Sequence, residues 1–539
     1  MSASMNYPSN TMILVADDVS DAGLRPLVDA GFDVHKRIGL EPEALRFALR
    51  DCEGLIVRSE TKVTADLMDC APALRVIGRA GVGVDNIDEH AATKRGIVVM
   101  NAPDGNTVTT AEHTIALLIG LARRVPQASN SLKSGKWERK RFVGIELQRK
   151  TLGIIGLGRI GRVVVSRAQA FGMKVVAYDP FLSPEQASDL GVELAPLDEL
   201  FGRADFLTIH TPLTDDTRGI IGKEAFKRMK LGVCIINCAR GGLIDETALS
   251  DAIKSGIVAG AALDVFEQEP PPRDHPLLAL DQVIATPHLG ASTTEAQEGV
   301  ASIVAEQMRD YLLTGALRGT VNVGALSGQE LNRLRPYMNL ADRLGKFLAQ
   351  LIDHSVTRVV VEYAGDIVEL DAAPVTWAFL AGLLHNMSSR INIVNAKEIA
   401  LERGIEIENV YKRAGVGDVT HAIKTHVFTS QGEHEAAGAL FGPQAEGRIT
   451  EIDGILIEAI LSGHMLVTHS NDVPGVIGRL GTCLGTHGVN ISRFHLGRHK
   501  RGGEAIAVIE TDALVDEDTL TELRSFESVV SARRIELIE

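Results

Sequence analysis

Residues 151–180, TLGIIGLGRIGRVVVSRAQAFGMKVVAYDP, constrain this chain more than any other stretch. An apolar β-rich run meets a glycine turn, an amphipathic helical pattern follows, and a second apolar run ends on Asp179. That order demands a strand, a crossover helix and a parallel neighbouring strand, hence an open sheet with helices on its faces. In the GxGxxG spacing Gly156 permits the tight turn and Gly158 lets a ligand approach the backbone. Gly161 lets the helix pack close to the sheet. Free N–H groups and the helix dipole favour an anion at the start of that helix. A carboxylate about 20 residues beyond the glycines can accept hydrogen bonds from a ribose and repel a 2′-phosphate. The expected ligand is therefore a dinucleotide, NAD rather than NADP.

The same strand–helix rhythm precedes this unit in MILVADD, GLIVRS, LRVIGRAG and GIVVMNA, and continues after it to VIATPH. With 539 residues, three or four domains are expected. Residues 1–103 read as a first doubly wound parallel-sheet domain, with a return segment at 290–320, and residues 104–289 as the second, nucleotide-binding one. Residues 321–460 mix helical and β-like runs without a catalytic motif, an α+β domain. Residues 461–539 read strand, helix, strand, strand, helix, strand, the order of a ferredoxin-like module.

The net charge of −15 speaks against nucleic acid as the main partner and requires any anionic substrate to be met by a local basic cluster. The five cysteines include no CxxC pair; Cys234 and Cys238, four apart in an apolar segment, read as buried thiols, and a reducing compartment with no metal site is expected. MSASMNYPSNTM lacks a basic start and an apolar core, and no uncharged run reaches the ~20 residues needed to cross a bilayer. A cytoplasmic protein without a membrane partner is expected.

Three further strand ends carry polar residues: Arg240 in INCARGG, Asp264 and Glu269 in LDVFEQEPP, and His288 in ATPHLGAST. One isolated imidazole is usually a structural group, but ligands in open α/β sheets bind beyond the carboxyl ends of the strands, where these side chains converge. A cation, a carboxylate and an imidazole around one cofactor suit hydride transfer at an oxygen-bearing carbon. Arg240 can hold a carboxylate through two parallel hydrogen bonds, and His288 can exchange the hydroxyl proton.

GRAGVGVDNID, GLGRIG, HTPL, NCARGGLIDE, ALDVFEQEP and TPHLGAST, in this order within residues 12–325, resemble the D-isomer-specific 2-hydroxyacid dehydrogenases. The resemblance implies that Arg240, Glu269 and His288 are catalytic. It implies further that Arg159, Ile160, Asp179, Thr211, Pro212, Cys238, Asp264 and Gly290 line the NAD site with Gly156, Gly158 and Gly161. The rest of the chain is similar to the long members of the family, which carry an intervening domain and a C-terminal ACT domain. They imply a phosphorylated substrate, D-3-phosphoglycerate, oxidised in the first step of L-serine biosynthesis by a homo-oligomer.

For such a substrate the chain offers Arg58 and Ser59 in VRSETK, and the turn at Gly81 and Val82 beside Arg79 in GRAGVG. Arg139 lies in GKWERKRF, which the resemblance makes an arm reaching a neighbouring subunit's site. In the ACT module, Ser470, Asp472 and Asn490 are the expected L-serine effector residues, Ser470 standing where a histidine or tyrosine is usual. Other readings are a glyoxylate or hydroxypyruvate reductase, and an NAD-sensing binding protein of the same fold.

Overall fold

The strands of the first sheet are short apolar runs because helices cover both its faces. They are β1 (Met12–Val15), β2 (Asp33–Lys36), β3 (Gly54–Val57), β4 (Val76–Arg79) and β5 (Val98–Asn101). All pair in parallel, in the order β2-β1-β3-β4-β5. Only the edge strand β2 lacks buried residues, as an edge with one neighbour allows. The helix Thr294–Thr314 returns to one face, where Val300, Ala301, Val304 and Met308 complete the core. The computed structural model describes residues 11–323, 328–388, 390–412 and 422–537. The stretch 1–10, read above as lacking a leader, lies outside the described residues.

The second sheet holds β6 (Thr151–Ile155), β7 (Lys174–Tyr178), β8 (Glu193–Leu194), β9 (Phe206–Ile209), β10 (Val233–Asn237), β11 (Val258–Leu263) and β12 (Val283–Ala285). It too is parallel, in the order β12-β11-β10-β9-β6-β7-β8. The order reverses between β6 and β9, and the diverging connections leave a crevice at their carboxyl ends. The helices Thr107–Arg123 and Arg159–Ala170 pack together through Ala111, Leu118, Val164 and Ala168 over one face of this sheet.

The third sheet is mixed: β13 (Val356–Ala364), β14 (Glu406–Lys412), β15 (Ala422–Thr429), β16 (Gly432–Phe441), β17 (Glu446–Ile452) and β18 (Ile455–Ile460). Its order is β14-β13-β15-β16-β17-β18, and only β13 and β14 run parallel. The helix Ala373–Leu384 is apolar nearly all round and is buried accordingly. The fourth sheet is antiparallel: β19 (Gly463–Asn471), β20 (Ile491–Arg498), β21 (Glu504–Thr511) and β22 (Val529–Leu537), ordered β20-β21-β19-β22.

Alternation along these last strands serves two cores. Leu466, Ala507 and Ala532 face the helices Val476–Thr486 and Glu517–Arg524. Met465, Val467, Val508 and Ile535 share the core of the mixed sheet with Leu344 and Phe347. No helix among the described residues is long and apolar enough to cross a membrane.

Candidate active site

The crevice between β6 and β9 begins with backbone geometry that side chains would block. Gly156 has φ +94°, and a Cβ there would stand 2.6 Å from the His210 carbonyl oxygen. At Gly161 a Cβ would stand 2.2 Å from the Gly156 carbonyl oxygen. Gly158 caps the helix Arg159–Ala170, with nothing near the place a side chain would take. Asp179, just past β7, accepts the Leu157 N–H at 2.8 Å and the Phe181 N–H at 2.9 Å. Its carboxylate therefore braces the glycine loop. Across the crevice Thr211 follows β9, and its buried hydroxyl has no hydrogen-bond partner among the described residues. Pro212 follows it, the Pro212 carbonyl accepting from Thr217. Ile160 is half-buried, and Arg159 pairs with Asp104 at 2.6 Å. Cys238 is buried beyond β10, and that burial pushes its thiol up to about 12, so it stays protonated at neutral pH.

Further along the same sheet edge, the loop after β12 carries His288 at φ +53°. A non-glycine residue there is strained and persists only where its surroundings impose it. The His288 N–H is held by the Asp264 carbonyl at 2.9 Å. The Asp264 carboxylate is buried and takes the Leu289 N–H at 2.7 Å, the Gly290 N–H at 2.8 Å and the Thr286 hydroxyl at 2.6 Å. His113 adds a contact at 3.1 Å from the helix Thr107–Arg123. Burial acts to raise the pKa of Asp264, but the hydrogen bonds from His113, Thr286 and Leu289 outweigh it and hold the carboxyl below its ordinary range. Asp264 thus anchors the histidine turn from beneath.

Glu269 Oε2 lies 2.7 Å from His288 Nδ1, while its Oε1 accepts the Phe266 N–H at 3.1 Å. Partial burial works against the charged carboxylate, yet the hydrogen bond and charge of His288 leave its pKa below the usual value. With Nδ1 turned to Glu269, Nε2 is left for exchange with a ligand.

Arg240 extends from the end of β10 to the first sheet's loops, where its Nε donates to Asp85 Oδ2 at 3.0 Å. Its guanidinium lies against Gly83, in the turn that contains Gly81 and Val82. Arg79 is mostly buried nearby; burial first, then the charges of Arg240 and Arg58, lower its pKa to about 10. Cations gathered this way favour an anion among them. Arg58 is held by its N–H to Asp17 at 2.6 Å and by its guanidinium to the Asp18 carbonyl at 3.1 Å, with Ser59 exposed beside it.

The regions that match known families follow these units. Residues 115–290 match the NAD-binding domain of D-isomer-specific 2-hydroxyacid dehydrogenases, 333–453 the D-3-phosphoglycerate dehydrogenase intervening domain, and 464–528 the ACT domain. D-3-phosphoglycerate dehydrogenase of Methanocaldococcus jannaschii is 44% identical over 97% of this chain and 99% of its own. The Bacillus subtilis enzyme of the same name is 42% identical over 97% and 99%. The chain belongs to the D-3-phosphoglycerate dehydrogenase branch of the D-isomer-specific 2-hydroxyacid dehydrogenase family. Among solved structures, the TT0316 protein of Thermus thermophilus aligns with TM-score 0.53 at 37% identity, covering 56% of this chain and 97% of its own. D-lactate dehydrogenase of Aquifex aeolicus, solved with NAD and lactic acid, aligns with TM-score 0.50 at 29% identity over 56% and 95%.

A dehydrogenase of this family uses NAD, and the residues present fit it. A glycine cradle, a helix N-terminus, the Asp179 carboxylate and the unpartnered Thr211 hydroxyl face one crevice. Asp85 and His113 are the site residues the sequence alone did not reveal. Asp85 is one of two acids in the motif GRAGVGVDNID, where nothing local marks it as the partner of Arg240, and His113 lies inside a helix that reads as core.

Two expected groups are not brought together within one chain. Arg139, in the exposed 3-10 turn Arg139–Phe142, lies at the arm whose Arg141 binds Asp281 at 2.9 Å, ahead of β12. His288 follows the other end of that strand. In the ACT module, Asp472 accepts from Arg498 at 2.7 Å and from the Gly502 N–H at 2.9 Å, at the start of β21. These hydrogen bonds, the Gly502 one foremost, hold the Asp472 carboxyl below its ordinary range. Asn490 donates to Asp512 at 2.7 Å, at the other end of β21. An eight-residue strand separates them by more than about 20 Å. Ser470 is buried in β19, paired with Ala505.

Proposed function

We propose that this enzyme oxidises D-3-phosphoglycerate to 3-phosphohydroxypyruvate, the first step of L-serine biosynthesis, with His288 as acid–base, Glu269 as its partner and Arg240 as carboxylate anchor. The observation that carries this reading is the 2.7 Å pair of His288 and Glu269 on the same sheet edge as the glycine cradle. NAD, when bound, supplies the hydride acceptor. Arg240 holds the substrate carboxylate and polarises the C2 oxygen. His288 Nε2 takes the hydroxyl proton as C2 becomes a carbonyl and passes it to solvent, to which the side chain is 43% exposed. Glu269 keeps Nδ1 protonated and the ring oriented throughout.

The phosphate end is read onto Arg58, Ser59 and the turn at Gly81 and Val82, supported by the cationic surroundings of Arg79. Arg139 enters this reading from a second copy, because its own chain carries it at the opposite end of β12. The enzyme is thus read as a homo-oligomer, with L-serine bound between ACT modules of two copies, where Asp472 of one approaches Asn490 of the other. A reducing cytoplasm suits its five free cysteines.

Steady-state assays with NAD and D-3-phosphoglycerate, D-glycerate or glycolate test the proposal. The phosphorylated acid is expected to give the highest kcat/KM. Equal turnover of glycolate would favour a glyoxylate or hydroxypyruvate reductase, and NAD binding without turnover a sensor.

A further inference from the structure

We propose that Cys483, His487 and Glu522 form a zinc site on the outer face of the ACT module. Cys483 and His487 stand one turn apart, at and just beyond the end of the helix Val476–Thr486, and so share a face. Glu522 comes from the neighbouring helix Glu517–Arg524. The sulfur, an imidazole nitrogen and a carboxylate oxygen all lie within 4.8 Å of one another, and His487 Nε2 is 3.5 Å from Glu522 Oε2.

The imidazole is set up to be a ligand. Its Nδ1 lies 3.0 Å from the Cys483 carbonyl oxygen, so Nδ1 carries the proton and Nε2 presents its lone pair to the cluster. Cys483 and Glu522 line a groove of about 370 Å³ together with Thr482, Thr486 and Phe526, which gives an ion a path of entry. Thiolate and carboxylate cancel a divalent charge, while Arg479, also in the groove, contributes one opposing cation. A mixed sulfur, nitrogen and oxygen set selects zinc over magnesium or calcium, and three protein ligands leave a fourth position open to solvent.

The comparable group His426, Glu433 and Glu435 on the mixed sheet is a poorer candidate. Lys424 lies 3.1 Å from Glu435 and already supplies its positive charge. Glu522 instead faces His487, a ligand of the proposed site itself, at 3.5 Å. Bound zinc would clip the two ACT helices together three residues before Asn490, but the site itself does not depend on the effector reading.

Full-length protein stripped with a chelator and titrated with Co²⁺ tests the site. One Co²⁺ per chain should bind with a near-ultraviolet sulfur-to-cobalt charge-transfer band, be displaced by Zn²⁺, and resist excess Mg²⁺ or Ca²⁺. Because metal binding releases the thiol proton, affinity should rise with pH. Cys483→Ser should abolish the band, and Glu522→Gln should weaken binding at least about tenfold. Glu522 is half-exposed, so its variant keeps the test open should the buried Cys483→Ser misfold by circular dichroism. A band that survives Cys483→Ser, Co²⁺ binding without a band, or unchanged affinity in folded Glu522→Gln would overturn the proposal.

Discussion

Asp85 holds Arg240 across the cleft between the two parallel-sheet units, Nε to Oδ2 at 3.0 Å. The bond uses one edge of the guanidinium and aims the rest of it. Asp85→Ala is therefore expected to lower kcat/KM for the hydroxy acid by about 10–100-fold, the worth of a charged hydrogen bond. The KM for NAD should change less than about twofold, since Asp85 touches none of the dinucleotide loop. Asp85→Asn, which keeps an acceptor, should fall between. An equal rise in both KM values would point to general damage of the cleft.

His288→Ala should reduce kcat by a factor on the order of 10²–10⁴ while NAD affinity, measured by fluorescence or calorimetry, stays near wild type. Glu269→Gln should lose less, because an amide can still orient Nδ1. Near-normal kcat in the alanine variant would reduce His288 to a structural residue.

Asp264 supplies a pH prediction with a definite sign. Its carboxyl titrates below its unfolded value, so its stabilisation is full above the unfolded value and is lost as pH falls through the folded one. Asp264→Asn should loosen the histidine turn by about 1–3 kcal/mol at pH 7. The gap to wild type should narrow below about pH 4. Hydrogen exchange across residues 283–290, corrected for intrinsic rates, measures this locally. The same gap at both pH values would contradict the linkage.

Asp179→Ala removes the proposed ribose acceptor and the brace of Leu157 and Phe181 at once. KM for NAD should rise about tenfold or more, and the NAD-to-NADP ratio of kcat/KM should fall by a similar factor. Asp179→Asn separates the effects, since it retains an acceptor without the charge. Equal use of both cofactors by the wild type would remove Asp179 from this role.

Arg139→Ala should raise KM for D-3-phosphoglycerate and leave an unphosphorylated acid nearly unaffected. Mixing it with His288→Ala under subunit exchange is the sharper measurement. If the arm serves a partner, hybrid dimers regain one intact site, roughly a quarter of wild-type sites in a random mixture. Absence of such recovery in confirmed hybrids would confine Arg139 to its own chain.

The sequence by itself determined the parts whose geometry is set by near neighbours in the chain. The glycine spacing before the helix Arg159–Ala170 and the strand, helix, strand, strand, helix, strand order of the last module follow from local pattern, and each is found where it was expected. That Arg240, Glu269 and His288 follow strands of one sheet at their carboxyl ends was legible too, because parallel strands with right-handed crossovers share that edge. Only the tertiary structure decided which groups meet from distant segments. Asp85 and Arg240 are 155 positions apart, and His113 reaches Asp264 from a helix that reads as plain core. It also decided that Arg139 stands ahead of β12 while His288 follows it, and that Asp472 and Asn490 flank β21 at opposite ends. Motifs record what adjacent residues can do; the path of the chain between them, fixed by which apolar faces must be buried together, settles what each motif touches.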